Sequence, residues 1–304
     1  MAKTFEKQIF KQASKTFYYS TQFFPKRLRR DVSRLYSFVR IADDYVDEEP
    51  RQPEKIAELE KQYQQALKVD HFDPTTHSWD DPDTRIVKNM MRLTQRYKFE
   101  PTWVPSFLEA MKSDIQPKAA TTLKASLEYV YGSAEVIGLM MAKIMKLPEE
   151  AWEVARMQGR AMQWLNFIRD IKEDNARGRQ YFPEEDLRSC GLADLSEETA
   201  RANPEAFKKF MRMQLKRYRD WQVEATKGHE FIPKRYRIPV QTTVEMFNWT
   251  ADVIEKNPFI VYKKKVKPMS TRVLARGASK KSRQAAKDFV ARAKQARQKM
   301  KRSQ

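Results

Sequence analysis

Two stretches of the chain carry carboxylates at a spacing that could bind a metal ion. In the first, RIADDYVDE, Asp43 and Asp47 are four residues apart, so on a helix they share a face. Like charges at that spacing destabilise a helix, and the neighbouring Asp44 adds to the repulsion. Mg²⁺ would offset this cost, because it binds carboxylate oxygens and completes its coordination shell with water and phosphate. Alone the pattern is weak evidence, since surface helices often carry several acids.

The second stretch, QWLNFIRDIKEDNARGRQYFP, places a polar ridge along a helix that is otherwise rich in apolar residues. Asn166, Asp170 and Asp174 follow one another at intervals of four residues. Such a ridge is costly to bury without partners. Two acid ridges that face each other from separate helices would form a cage for Mg²⁺ ions bridging a diphosphate, with arginines on the phosphate oxygens. Positive charge is available in the same stretch, on Arg169, Arg177 and Arg179.

The elements that must position these ridges are helices. The 304 residues include only 7 glycines, so there are few of the tight turns that a barrel or sandwich needs. Apolar residues make up 41% of the chain, which is enough for a sizeable core. A loop is predicted at 70–83, where proline, aspartate and threonine cluster. Periodicity and proline positions predict helices at about 5–23, 26–48, 53–69, 84–97, 103–116, 122–145, 149–176, 203–227, 240–256 and 280–302.

Charge is distributed unevenly along the chain. Residues 261–304 hold +15 of the formal net charge of +19, so the body is nearly neutral and the C-terminal tail is strongly basic. We place a boundary at 268 between a catalytic domain, 1–268, and a basic tail, 269–304. Such a tail suits an anionic membrane surface or nucleic acid, and a purely solubilising role is the alternative.

The single cysteine, Cys190, excludes an intramolecular disulfide. An apolar leader and a membrane-spanning stretch are both missing from the sequence pattern. We therefore expect a reducing, cytoplasmic location, with the basic tail holding the protein peripherally at a membrane.

The two acidic stretches resemble the signatures of the squalene and phytoene synthase family, and the resemblance covers residues from about 12 to 268. LNFIRDIKEDNARGRQYFP is its most specific part, and DVSRLYSFVRIADDYVDE is similar to the first aspartate-rich signature. Three further segments resemble family sequences: SKTFYYS at 14–20, YVYGSAEVIGLM at 129–140 and PFIVYKKKVKP at 258–268.

This resemblance implies an all-α isoprenoid synthase fold, a single helical domain around a central apolar cavity that binds two prenyl diphosphates through Mg²⁺, with Mn²⁺ as a substitute. The positions that match metal ligands are Asp43, Asp47, Asn166, Asp170 and Asp174. Those that match diphosphate contacts are Ser14, Thr16, Arg40, Arg169 and Arg179. Tyr36, Tyr129, Gln163 and Tyr181 are expected to line the reaction centre, and the aromatic faces of Phe17 and Tyr36 to stabilise a carbocation.

The chain departs from the family pattern at two positions. Ala13 stands where some relatives have a histidine, and Phe247 where several have a tyrosine. Neither departure affects the carboxylates.

The residue sequence RDIKEDNARGRQYFP resembles the phytoene-type signature more than the eukaryotic squalene-type one. The resemblance thus implies head-to-head condensation of two geranylgeranyl diphosphates to phytoene, through a cyclopropylcarbinyl diphosphate and without NADPH. Ser33 and Thr21 are small, which would leave room for a C20 chain.

Three other functions stay open at this point. The enzyme could act on farnesyl diphosphate, as a squalene, dehydrosqualene or presqualene-diphosphate synthase. A non-catalytic scaffold of the same fold would have little need for the aspartates and Asn166. A nucleic-acid-binding role for the tail would explain none of the motifs in the body, so we expect no specific nucleic-acid partner.

Overall fold

The computed structural model describes residues 5–68, 82–269 and, within 271–280, all residues but 274 and 277. The regular secondary structure of these residues is helical, which confirms the all-α prediction. The predicted loop lies outside the described residues except for its last two positions, and the predicted basic helix lies outside them except for residue 280. The α-helices are α1 (Phe5–Ala13), α2 (Lys15–Thr21), α3 (Lys26–Asp47), α4 (Pro53–Leu67), α5 (Pro82–Tyr97), α6 (Trp103–Ser113), α7 (Leu123–Val130), α8 (Val136–Met145), α9 (Trp152–Ala176), α10 (Glu184–Cys190), α11 (Glu197–Ala202), α12 (Pro204–Lys227), α13 (Lys234–Lys256) and α14 (Ile260–Lys263).

Two predicted helices are interrupted in the structure. The helix expected over 5–23 breaks at Ser14, whose hydroxyl accepts a hydrogen bond from the Phe17 N–H at 3.3 Å and so caps α2. The helix expected over 122–145 contains a π-helical turn, Tyr131–Glu135, between α7 and α8. The short helices α10, α11 and α14 were not predicted, because four to seven residues carry too little periodicity to be recognised.

Helix α13 starts six residues before the predicted 240. Pro239 lies in its second turn and is buried, where it removes only one backbone hydrogen bond from the helix. One turn further on, the Thr243 hydroxyl lies 2.8 Å from the Ser20 hydroxyl. This contact ties α13 to α2, so packing outweighs the helix-breaking tendency of the proline.

The core consists of two clusters of buried apolar side chains. One comes mainly from α1 to α6 and α8, the other mainly from α9 to α14. Phe17 and Tyr129 are partly buried and contact both clusters, so they mark the seam between the two halves. Helix α3 packs mainly on α1 and α5, whereas α9 packs mainly on α12 and α8. The two acid-bearing helices therefore belong to different halves of the core.

Helix α9 approaches the helix before it closely enough for the backbones to touch. A Cβ atom on Gly159 would lie 2.4 Å from the Ala134 carbonyl oxygen. Beside this contact, the buried Glu135 carboxylate accepts hydrogen bonds from Arg156 at 3.0 Å and from Arg160 at 2.6 Å. The close approach and the ion pairs together fix α9 against the π-helical turn.

We expect Gly159→Ala to destabilise the protein by about 1–3 kcal/mol, since the added methyl meets a backbone oxygen that cannot rotate away. In an unconstrained helix the same change would stabilise by about 1 kcal/mol. Gly138→Ala should have a similar effect, because its Cβ would lie 2.3 Å from the Ala155 carbonyl oxygen. Urea unfolding measures both, and a Gly159→Ala variant as stable as the wild type would contradict the close packing.

Candidate active site

The carboxylates of α3 lie in its last two turns, each held by an arginine. Arg40 forms ion pairs with Asp43, at 3.0 Å, and with Asp44. Asp47 forms its ion pair with Arg179, which follows α9 in the chain. The opposite face of α3 is buried among apolar side chains, so the helix has little freedom to rotate the ridge away.

Negative charge on the α3 ridge is not fully balanced. Burial raises the pKa of Asp43 to about 7, and repulsion from Asp47 adds to the effect against the attraction of Arg40. The Asp43 side chain nevertheless keeps 38% of its surface accessible, so protein atoms crowd it on most sides but leave it open on one. An ion can therefore reach this carboxylate.

The α9 ridge has the same arrangement of one balanced and one unbalanced acid. Arg169 donates to both oxygens of Asp170, at 2.8 and 2.6 Å, and Lys265 lies 3.1 Å from it. Burial alone would raise the pKa of Asp170, but the hydrogen bonds from Arg169 outweigh it and the pKa is lowered. One turn earlier, the Asn166 amide donates to the Gln163 side chain at 3.2 Å.

Asp174 carries the unbalanced charge of this second ridge. Burial raises its pKa to about 8, followed by repulsion from Asp170, while Arg179 and Arg177 act in the opposite direction. Like Asp43, Asp174 is a carboxylate whose surroundings lack a full positive charge. A bound cation would supply that charge at both ridges.

Within 5–68 and 82–269, no three His, Cys, Asp or Glu side chains converge into a ready-made metal cluster. Basic side chains instead share the space with the acids, notably Arg40, Arg169 and Lys265. The donor set still suits Mg²⁺, which binds through one or two carboxylates and keeps several waters or phosphate oxygens. The two carboxylate ridges, in which Asp43 and Asp174 have raised pKa values, therefore fit a Mg²⁺ site that is completed by an anionic substrate.

Arg179 connects the two ridges. It is 4% exposed, and its guanidinium donates to Asp47, to the Val46 carbonyl at 2.6 Å and to the Asp114 carbonyl at 3.2 Å. Its charge also opposes the rise in the pKa of Asp174 on the other helix. Two acids separated by more than a hundred residues thus interact with one buried cation.

Asp114, which lies just after α6, is a site residue that was not predicted from the sequence. Its carboxylate is 3% exposed and accepts hydrogen bonds from the Tyr129 hydroxyl at 2.6 Å and the Tyr181 hydroxyl at 2.8 Å. The two tyrosine rings stack with their centroids 4.8 Å apart. Burial raises the pKa of Asp114, and Arg179 opposes this. Asp114 is a lone acid at a helix end, with no spacing pattern that could have marked it.

Lys265 was also missed as a site residue, although it lies in the matched C-terminal segment. It forms ion pairs with Asp170 and with Glu173 on α9. In the sequence it is one of three consecutive lysines, so nothing local distinguishes it.

Ser14, Tyr36 and Phe17 form the wall of the site nearest the N-terminus. Burial raises the pKa of Tyr36 to about 12, against the opposing effects of Arg40 and of a hydrogen bond with Ser14. Phe17 lies 6.5 Å from the Tyr36 ring and 5.6 Å from the ring of Phe247. At the position where a tyrosine was expected, Phe247 thus makes an aromatic contact and offers no hydroxyl.

Hydrogen bonds, ion pairs, ring contacts and charge interactions link many of the predicted site residues to one another near the seam between the two halves of the core, whereas Gln163 and Asn166 contact each other. The side chain of Thr16 lies outside the described residues. Those described are Ser14, Phe17, Tyr36, Arg40, Asp43 and Asp47 from the N-terminal half, Tyr129 at the seam, and Gln163, Asn166, Arg169, Asp170, Asp174, Arg179 and Tyr181 from α9 and the segment after it.

This arrangement of helices is the all-α isoprenoid synthase fold. The structure superposes on a dehydrosqualene synthase solved in complex with ligand with a TM-score of 0.74 at 23% identity, covering 93% of this chain and 96% of the other. It superposes on a squalene synthase from Alicyclobacillus acidocaldarius with a TM-score of 0.70 at 20% identity, covering 84% and 93% of the two chains.

Of the described helices, none has the length and hydropathy of a transmembrane span.

The chain belongs to the squalene/phytoene synthase family, whose family model matches residues 10–273. It is 25% identical over 272 residues to a 15-cis-phytoene synthase from Synechococcus elongatus, covering 85% of each chain. It is 28% identical over 177 residues to a 4,4'-diapophytoene synthase from Staphylococcus haemolyticus, covering 58% of this chain and 60% of the relative. The members of this family are head-to-head prenyltransferases, which supports a transferase as the class of this protein.

The raised pKa values of Asp43 and Asp174 predict how stability depends on pH. A carboxyl whose pKa is higher in the folded than in the unfolded state binds its proton more tightly when folded, so stability falls as pH rises through the folded values of about 7 and 8. Without divalent metal, we expect the melting temperature to fall between pH 6 and pH 8.5. Added Mg²⁺ should raise it more at pH 8.5, where both acids are ionised.

The double variant Asp43→Asn/Asp174→Asn is the control for this prediction, because its amides cannot titrate. Differential scanning calorimetry at several pH values, with Mg²⁺ or EDTA, should show a weaker dependence on pH and on Mg²⁺ than in the wild type. An identical dependence in both proteins would mean that other groups are responsible.

Asp114→Asn should reduce turnover by about tenfold or more, because an amide lacks the charge that holds two tyrosine hydroxyls and faces Arg179. Asp31→Asn is the matched control. Asp31 is equally buried and accepts hydrogen bonds from Arg34, Arg96 and Tyr97, away from the site. Both variants should lose stability, but only Asp114→Asn should lose turnover when assayed well below the melting temperature. Equal turnover in the two variants would limit Asp114 to a structural role.

Proposed function

We propose that the protein is a phytoene synthase, which joins two geranylgeranyl diphosphates head to head and releases diphosphate without a reductant. One observation carries the proposal. Carboxylates of both α3 and α9 interact with Arg179, a buried cation. This is the charge arrangement that a diphosphate bridged by metal ions requires.

Asp43, Asp47, Asn166, Asp170 and Asp174 would hold Mg²⁺, for which Mn²⁺ can substitute. When bound, the metal supplies positive charge that stabilises the departing diphosphate as the allylic C–O bond ionises. The arginines then have a role of their own, because guanidinium groups bind phosphate oxygens through paired N–H donors. The chain residues that would bind the diphosphates directly are Ser14, Thr16, Arg40, Arg169 and Arg179.

Aromatic side chains in the seam would protect the carbocation that is left behind. Phe17 and Tyr36 present ring faces, which attract cations. The hydroxyls of Tyr129 and Tyr181 donate hydrogen bonds to Asp114, which fixes the orientation of both rings. Burial and the Asp114 charge also raise the pKa of both tyrosines, which keeps them neutral. The departing diphosphate can itself accept the proton that is lost when the final double bond forms, so no protein base is required.

The preference for C20 substrates rests on two small side chains. The Ser33 hydroxyl donates to the Arg29 carbonyl at 2.8 Å and the Thr21 hydroxyl to the Tyr18 carbonyl at 2.8 Å, so both fold back on their own helices. Neither extends a bulky ring into the space near α2 and α3. The several relatives named phytoene synthase favour the same choice. The staphylococcal relative supports the alternative, a synthase that uses farnesyl diphosphate.

The basic tail would hold the enzyme peripherally at an anionic membrane of the cytoplasm, where its oily product has to be delivered. Within the tail, Val273 is buried, Arg272 lies over the Trp249 ring at 4.8 Å and Lys280 forms an ion pair with Glu245. The first part of the tail therefore packs on α13. The basic residues beyond 280 would supply the contacts with lipid, at about 1 kcal/mol for each residue near the surface.

The decisive experiment incubates the purified protein with Mg²⁺ and geranylgeranyl diphosphate and identifies the extracted hydrocarbon by mass. We expect a C40 hydrocarbon without NADPH. Asp43→Asn and Asp170→Asn should each reduce turnover by about 100-fold or more, because each removes a ligand for the charge that stabilises the leaving group.

The matched control is Asp220→Asn, which changes an aspartate that is 60% exposed and paired with Lys216 on α12. Its turnover should equal that of the wild type. A product obtained only from farnesyl diphosphate would support the C15 alternative. If no condensation occurs with either substrate, or the Asp43 and Asp170 variants are fully active, the proposal is wrong.

A further inference from the structure

A second charged cavity lies away from the carboxylates, between α1, α2, α3 and α5. Its volume is about 820 Å³, within the range of about 300–1,000 Å³ that is usual for pockets holding small organic ligands. Tyr18 and Ser33 contribute to its lining. Among the described residues that line it, seven are cationic and one, Glu6, is acidic; the cations are Lys7, Lys26, Arg29, Arg30, Arg34, Arg85 and Arg92. We call this cavity the basic groove.

The acids near the basic groove are already engaged. Glu6 accepts hydrogen bonds from Arg85 at 2.9 Å and Asn89 at 3.0 Å. The fully buried Asp31 lies beneath the groove and is bound by Arg34, Arg96 and Tyr97. The exposed side chains of Lys7, Lys26 and Arg30 at the rim have no carboxylate partner among the described residues. The positive charge of these three rim side chains is therefore left for a ligand.

Two physical effects make this charge unfavourable in the empty groove. Residues 26–30, KRLRR, put four cations in the first turns of α3, where the positive end of the helix dipole repels them. Burial also lowers the pKa of Arg34, and repulsion by Arg92 and Arg30 adds to it against the attraction of Asp31. An anion bound in the groove would relieve both effects, since helix N-termini and arginine clusters favour phosphate.

We propose that the basic groove binds the phosphate headgroup of an anionic phospholipid and so places this face of the protein on a bilayer. The size of the cavity favours a headgroup with its glycerol over a lone phosphate ion. The exposed rim cations of α1 and α3 add electrostatic attraction to an anionic surface.

The rim of the groove is distant from both the carboxylates and the basic tail, although its inner wall at Ser33 borders the space proposed for the prenyl chain. Lys26 and Asp43 are at opposite ends of α3, about 25 Å apart at 1.5 Å per residue. The tail residues that are described contact α13 instead of the groove. The groove would thus be a second contact with the membrane, one that fixes which face of the folded body lies on the lipid.

The test is sedimentation of the full-length protein with vesicles of phosphatidylcholine alone or mixed with phosphatidylglycerol. Lys26→Glu/Arg30→Glu changes the rim of the groove, and Arg212→Glu/Lys256→Glu is the matched control. Each exchanges one exposed lysine and one exposed arginine for glutamates, so the net charge is the same in both. We expect the groove variant to bind anionic vesicles at least about 20-fold more weakly than the control, since each basic residue near the surface contributes about fivefold.

Circular dichroism and thermal melting establish that both variants are folded, and Lys26→Gln/Arg30→Gln serves as a milder change should the glutamates unfold the protein. Turnover on detergent-dispersed substrate should be unchanged, which separates this proposal from the proposed function. Equal vesicle binding by the groove and control variants would overturn the proposal and leave the tail as the membrane contact. A calorimetric titration with inorganic diphosphate covers the other source of phosphate. If the groove variant loses only diphosphate binding, the groove binds a small soluble anion and the lipid proposal is wrong.

Discussion

Repulsion between carboxylates is the constraint around which this protein is built. Acids recur at four-residue spacing on α3 and again on α9, and in each ridge one acid has its pKa raised toward or above neutrality. A sequence that favoured only stability would not place them there. The structure manages the repulsion by distributing arginines among the acids and by using Arg179 for both ridges. What remains unbalanced is negative charge on Asp43 and Asp174, which a bound metal ion would neutralise.

The rest of the fold keeps the two ridges apart yet fixed relative to each other. Their helices belong to different halves of the core, so they can face a seam without packing against each other. The close backbone contact at Gly159 holds α9 in its N-terminal half, and the ion pair between Lys265 and Asp170 holds it nearer its C-terminal end. Rigid support of this kind matters because charges arranged in advance stabilise a leaving group without the cost of reorganisation.

Much of this was predictable from the sequence, because the signal was local. Acids four residues apart on an apolar background predicted both ridges, and periodicity predicted the long helices that carry them. The features that could not be predicted depend on contacts between distant segments. Asp114 is recognisable only through the two tyrosines that donate to it, and Lys265 only through its ion pair with Asp170. The break at Ser14 was missed because a single capping hydroxyl outweighs propensity that is continuous on both sides.

The contact between Ser20 and Thr243 joins residues 223 positions apart, and Arg179 reaches Asp47 across 132. Contacts of such long range form slowly, because the chain must lose much of its freedom before they are made. During synthesis at about 5–20 residues per second, α2 emerges roughly 10–45 s before the helix that will cover it. For that interval the apolar side chains of the seam are exposed to solvent. A nascent chain without a chaperone or a lipid surface can then associate through them with other proteins that expose apolar surface.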